Sequence, residues 1–262
     1  MSCSDCFKGH DRPGAITGVE THLHGVKAYV TQPTQDGVAP KGLIVVISDA
    51  FGWKTNNIRL LADSYARRTG CRVYVPDFMD GTAAPQWMKV YIDRIMNEAG
   101  IWGWIAKPYR HDPSTKYPMI KTFMAEFRGH EGKETPVGVI GFCWGGYHAT
   151  KLADGSVISN GQRIVDAVFA AHPSELHIPT DIKKIRVPYS MAVGDADFSL
   201  SLRDIEEIKA IMENEEAVES EIVIIHGAKH GFAVRANPND KGEMEMADEA
   251  ENQAVAWFNR HL

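Results

Sequence analysis

Residues 136–154 read PVGVIGFCWGGYHATKLAD: an apolar strand pattern, a short glycine-flanked turn, then a helical stretch. The turn is the informative part. A chain that passes from a buried strand into a helix through a single residue holds that residue in strained backbone. The positions two before and two after it must then be small, so that strand and helix can approach. Gly141 and Gly145 satisfy that condition around Cys143. The start of the helix carries partial positive charge that favours a thiolate, and the backbone N–H of Trp144 would face any oxyanion formed beside the sulfur. The pattern predicts a nucleophile elbow with Cys143 as the reacting group.

Outward from this turn, strand and helix alternate. GLIVVISD at 42–49 is a continuous β-branched run of the kind found in strands covered on both faces. TNNIRLLADSYARRTG follows as a helix, with Thr or Asn as its cap, Ile58, Leu61, Ala62 and Tyr65 on one face, and Gly70 as its stop. RVYVPD, VDAVFAAH, VPYSMAVG and EIVIIHG add further strands. VETHLHGVKAYVT at 19–31, with its central glycine, reads as an antiparallel pair at a sheet edge. The last twenty residues place Ala247, Ala250, Ala254, Trp257 and Phe258 on one helical stripe that should close the fold against the sheet. The expectation is an α/β chain: a mostly parallel, doubly wound sheet with helices on both faces and its ligand site beyond the strands' C-terminal ends.

With 262 residues, 44% of them hydrophobic, the chain is long enough for a substantial core, and residues 1–262 are expected to form one domain. A formal charge of −6, with no cluster of Lys and Arg, argues against nucleic acid as a partner. The longest aliphatic run, LIVVI at 43–47, is too short to span a bilayer, and MSCSDCFKGHDRPG has no apolar signal core, so a cytoplasmic protein is expected. Four cysteines make no disulfide framework here. Cys3 and Cys6 have no second pair at zinc spacing and read as part of an N-terminal arm; Cys71 opens a strand and reads as a buried residue. No metal and no cofactor are expected.

An elbow needs a base and an acid. IVIIHGAKHGF puts His230 in the loop past the last strand, at the sheet edge where Cys143 must lie, while His226 at the strand's own end reads as structural. VGDADF after the preceding strand offers Asp195 and Asp197. The order nucleophile, acid, histidine is that of an α/β-hydrolase, in which the histidine moves the proton and the aspartate orients it. Asp49 ends a buried strand, where an unpaired carboxylate would be costly, so it reads as a site residue. His172, also at a strand end, reads equally as pocket lining or as structural; His148, inside the elbow helix, reads as structural.

GFCWGG, GDADF and KHGF, with SDAFGW at 48–53, together resemble the dienelactone hydrolase family of α/β-hydrolases, its fungal-type branch in particular, over nearly the whole chain including the CSDC start. The resemblance implies Asp197 rather than Asp195 as the acid, three residues after the glycine. It also implies that Asp49 interacts with the resting cysteine and helps activate it, and that Ala50 supplies the second oxyanion donor beside Trp144. Bacterial members hold a substrate carboxylate with two arginines, whose positions here are Gly81 and Val234. Arg235, one residue on, could substitute after a small backbone shift.

Between Gly81 and Thr135 the chain spends over fifty residues on a connection that needs one helix. That excursion, around 81–135, carries Trp87, Tyr91, Trp102, Trp104, Tyr109, Tyr117, Phe123 and Phe127, which would either pack extra helices or wall the active site. Arg235, Phe51, His172 and Trp87 are the candidate substrate contacts. The expected activity is hydrolysis of an enol lactone, another activated ester or a thioester, by a monomer or homodimer. The alternatives are lactone isomerisation or cyclisation, and a catalytically silent small-molecule binder on the same scaffold.

Overall fold

Strands that are apolar on both faces need cover on both sides, and the sheet is covered that way. The computed structural model describes residues 9–33, 39–85, 113–214 and 218–262. In chain order these carry β1 (Val19–Leu23), β2 (Val26–Thr31), β3 (Leu43–Ile47), α1 (Asn56–Thr69), β4 (Arg72–Pro76), α2 (Pro113–Gly129), β5 (Val137–Phe142), α3 (Trp144–Leu152), β6 (Ile158–Ser159), β7 (Gln162–Arg163), β8 (Ala167–Ala171), β9 (Tyr189–Gly194), α4 (Leu202–Asn214), β10 (Ser220–Ile225), α5 (Phe232–Arg235) and α6 (Lys241–His261). The main sheet runs β1-β2-β4-β3-β5-β8-β9-β10. Strands β4 through β10 of that order are mutually parallel, and β1 and β2 are the antiparallel edge pair that the central glycine of their hairpin predicted. This is the α/β-hydrolase arrangement of a doubly wound sheet.

Two hydrophobic layers sandwich it. On one face α2, α3 and α4 contribute Ile120, Phe127, Leu152 and Ile208; on the other α1 and α6 contribute Ile58, Tyr65, Trp257 and Phe258. The predicted face of α1 is buried, its N-cap Thr55 accepts from the Ile58 N–H, and Gly70 stops it at φ 74°. The predicted stripe of α6 is buried as well, and Phe258 fills the space that a side chain at Gly138 would occupy: a Cβ there would lie 2.4 Å from the Phe258 ring. Removing a fully buried aromatic such as Trp257 costs about 3–5 kcal/mol, so α6 contributes materially to the fold.

One feature departs from the sequence reading. A two-stranded hairpin, β6–β7, pairs across Asn160-Gly161, both at positive φ, a turn signal that the strand reading did not use. Of the aromatic excursion, Trp87, Tyr91, Trp102, Trp104 and Tyr109 lie outside the described residues. Phe123 and Phe127 are core side chains of α2, and Phe123 meets Phe78 edge-on with ring centroids 5.1 Å apart.

Candidate active site

The elbow at 141–146 has the geometry its glycines require. Cys143 sits at φ 54°, ψ −116°, in strained backbone between β5 and α3. A Cβ on Gly141 would stand 2.2 Å from the Gly145 carbonyl oxygen, and one on Gly145 would stand 2.0 Å from the Ile47 oxygen. Both contacts are impossible, so only glycine lets α3 start this close to β5 and β3. The carbonyl of Cys143 accepts from Gly146 N at 2.9 Å, which turns the chain directly into the helix.

Asp197 and His230 are brought to this point by the loops after β9 and β10. Those loops touch through Gly194, where a Cβ would lie 2.0 Å from the Ala228 oxygen. His230 Nδ1 donates to both Asp197 oxygens at 2.9 Å, and both side chains are buried. Nδ1 is thereby committed, and the buried Nε2 is the nitrogen left for Cys143. Burial opposes charge on this ring. The charge of Cys143, then the Asp197 and Cys143 hydrogen bonds, outweigh it and hold the His230 pKa up to about 9. The arrangement favours an imidazolium beside a thiolate.

The neighbouring candidates fall in different places. Asp195 pairs with His226 at 2.7 Å in the open, so His226, read from sequence as a buried strand position, is instead exposed beyond the end of β10. His172 is fully buried at φ 38°. Its ring stands edge-on to His230 with centroids 5.0 Å apart, away from solvent, and is also packed on Phe232. Burial, then the nearby His230 and Arg235 charges, push its pKa far down, which makes it a neutral wall of the site. His148 is enclosed by Trp144, Tyr147 and Tyr117, and burial alone lowers its pKa to about 3, as befits a structural residue. Trp87 lies outside the described residues.

Asp49 and Arg235 form a buried ion pair, each side chain 1% exposed. The guanidinium lies over the Phe51 ring, 5.4 Å from its centroid, and Asp49 also accepts from Phe51 N at 3.0 Å. Gly231, at φ 89°, leaves room for the guanidinium, which would come within 2.1 Å of a Cβ there. On the far side Gly9 packs on the Arg235 side chain, while Asn57 Nδ2 donates to the His10 and Val234 carbonyls. Gly9 and His10 are thus built into the wall of the site. Val234 is buried in the core, and Gly81 is a turn residue at φ 74°, so neither position presents a side chain that replaces an arginine.

Residues 26–262 match the dienelactone hydrolase family. The chain belongs to that family. It is similar to a hydrolase, tropI, of Talaromyces stipitatus, at 28% identity over all of this chain and 97% of that one. It is also similar to a human carboxymethylenebutenolidase homologue, at 26% identity over 98% and 96% of the two chains. Among solved structures, a dienelactone hydrolase from Anabaena variabilis superimposes with a TM-score of 0.62 at 16% identity, covering 95% and 98% of the two chains. A dienelactone hydrolase family member is an enzyme of the hydrolase class, and the α/β-hydrolase fold seen here is the family's.

Two residues of this site were not legible in the sequence. The Ser199 hydroxyl lies 2.8 Å from Asp197 Oδ1 and 3.3 Å from His230 Nδ1, and Ser199 N donates to the same Asp197 oxygen at 2.8 Å. Phe198 tilts over His230 with centroids 4.8 Å apart while remaining 41% exposed, and Leu202 nearby is 61% exposed. The only sequence signal for Ser199 is its spacing two residues after an aspartate, the mark of an Asx turn, which points to a turn and not to a catalytic group.

Proposed function

We propose that this family member is a thiol hydrolase that cleaves activated, uncharged acyl compounds, such as enol lactones, aryl esters or thioesters of small organic or aromatic acids, through Cys143, His230 and Asp197. The observation that carries the reading is the coupling of His230: bound by Asp197 on one nitrogen and raised to about 9 by Cys143 on the other. A cysteine so paired attacks as thiolate without prior loss of a proton to solvent. The sulfur adds to the carbonyl carbon and the carbonyl π pair moves onto oxygen, where the backbone N–H groups of Trp144 and Ala50 would receive it. Collapse breaks the bond to the leaving oxygen or sulfur, which takes the proton of His230. His230 then removes a proton from water, the hydroxide adds to the acyl-cysteine, and the acid departs with the thiolate restored. No cofactor enters any step. A reduced cytoplasmic setting suits the reading, since the thiol must stay out of disulfides.

The preference for an uncharged substrate rests on Asp49 and Arg235. Among the described residues, the arginine built into the site, Arg235, has its charge already matched by a buried carboxylate. A substrate carboxylate would have to displace Asp49 or remain unpaired, and an unpaired buried charge costs several kcal/mol, on the order of 3–5. Phe198 and Leu202 offer apolar contact at the rim instead.

The test is a panel of lactones, aryl esters and thioesters in oxygen-18 water, each acid paired with its methyl ester, with Cys143→Ala alongside. The reading expects label in the product acid, turnover reduced by about 10⁴-fold or more in the variant, and faster reaction of the neutral member of each pair. Unlabelled rearranged product would make the enzyme an isomerase or cyclase. A strong preference for the carboxylates would mean that Arg235 exchanges Asp49 for substrate.

A further inference from the structure

We propose a second site, unconnected with hydrolysis: a zinc-type metal site formed by His24, Glu126 and His130, supported by Glu131, that clamps the β1–β2 turn to the end of α2. His24 and Gly25 make a tight two-residue turn with φ of 48° and 78°, and this turn carries the His24 ring onto the last turns of α2. There it meets Phe123 edge-on at 5.7 Å and lies 5.3 Å from the His130 ring. One donor atom from each of His24, Glu126 and His130 falls within 4.8 Å of the others. Tetrahedral ligands at about 2.0–2.1 Å from zinc stand roughly 3.3 Å apart. The remaining contraction is available because the Glu126 side chain is 54% exposed and can change rotamer.

Each imidazole is already held as metal-binding histidines are. His130 Nδ1 lies 2.8 Å from the Glu126 backbone carbonyl, which can only accept, so the proton is on Nδ1 and Nε2 carries the lone pair. His24 Nε2 lies 2.7 Å from the Glu131 carboxylate, which leaves Nδ1 as its lone-pair nitrogen. A carboxylate or carbonyl on the far nitrogen is the arrangement that orients a ligating ring and raises its basicity. The electrostatics agree. The site stands at the negative end of a 17-residue helix beside two carboxylates, and among the described residues neither Glu126 nor Glu131 has a Lys or Arg partner. Two imidazoles and a carboxylate suit zinc and its borderline neighbours far better than magnesium or calcium, which prefer oxygen alone.

The test uses the full chain in a Cys143→Ala background, so that the Cys143 thiol cannot join His230 in competing for metal. After chelator treatment, zinc is titrated by calorimetry and cobalt by visible absorption. One ion per chain is expected, with tetrahedral cobalt absorption and a melting midpoint that rises with zinc. His24→Ala and His130→Ala, both confirmed folded by circular dichroism, should each lose at least 100-fold in affinity and lose the midpoint shift. Glu131→Gln, which removes no ligand, should lose about 10-fold. Zinc binding of unchanged affinity in both histidine variants would overturn the assignment by placing the ion elsewhere. Absence of binding in the parent protein at millimolar zinc would overturn it outright.

Discussion

Two histidine–aspartate pairs lie on the same two loops, a few residues apart, and only one of them is buried and coupled to a cysteine. Asp195–His226 spans 2.7 Å and Asp197–His230 spans 2.9 Å, so contact distance does not distinguish them. Surroundings do. The His226 side chain is 87% exposed, where water and salt screen the pair and such contacts are worth little. His230 is buried and shares its charge with Cys143 as well as Asp197, so its protonation state is coupled to the sulfur's. A carboxylate beside an imidazole becomes functional when water is excluded and a third group waits on the other nitrogen.

The sharpest way to break this comparison is to remove one charge from each pair. Asp197→Asn should lower kcat/KM for an activated ester by about 10³–10⁴-fold, because the imidazolium loses its partner and the ring its fixed tautomer. Asp195→Asn should change it by less than about threefold, on the reasoning that exposed pairs contribute little. Comparable losses in the two variants would show that the exposed pair participates.

The pH profile sharpens it next. His230 has its pKa raised in the folded protein, so its charged form is the favoured one there. The stabilisation this gives is complete below its unfolded value near 6.5 and is lost as pH rises through about 9. In the proposed mechanism the imidazolium is also the proton donor to the leaving group, so kcat/KM should fall as pH rises through about 9. In Asp197→Asn that limb should move to lower pH. An alkaline limb that stays in place without Asp197 would refute the coupling.

Smaller effects should come from the supporting groups. Ser199→Ala removes a hydroxyl from both members of the buried pair, and one hydrogen bond of ordinary strength predicts up to about a tenfold loss in kcat with little change in KM. His226→Gln should leave kcat/KM within about twofold and the pH profile unmoved. A displaced alkaline limb in that variant would mean that the two pairs communicate.

Much of this site could be read before any coordinates. Gly141, Cys143 and Gly145 announce themselves because strained backbone and close approach restrict residue type, and the contacts behind those glycines are the ones that steric argument requires. His226 was illegible for the opposite reason: it lies one residue past a half-buried β10 and opens to water, and hydrophobic patterning does not locate a strand's end that finely. Ser199 and Phe198 carried no periodic or steric signature, since a turn serine and an exposed phenylalanine are ordinary residues until a histidine lies beside them.

By itself, then, the sequence determined the alternation of strands and helices, the sheet with two covered faces, the glycine-flanked elbow, and the chain order of cysteine, aspartate and histidine, all of which follow from local spacing and residue type. Tertiary structure alone decided that Arg235 is matched by Asp49, that a fully buried His172 packs on His230, that Gly9 backs Arg235, and that His24 meets His130. Those are pairings between residues far apart in the chain. Their energies depend on burial and on distances of a few ångströms, which the packing of one helix against one sheet sets and no local pattern records.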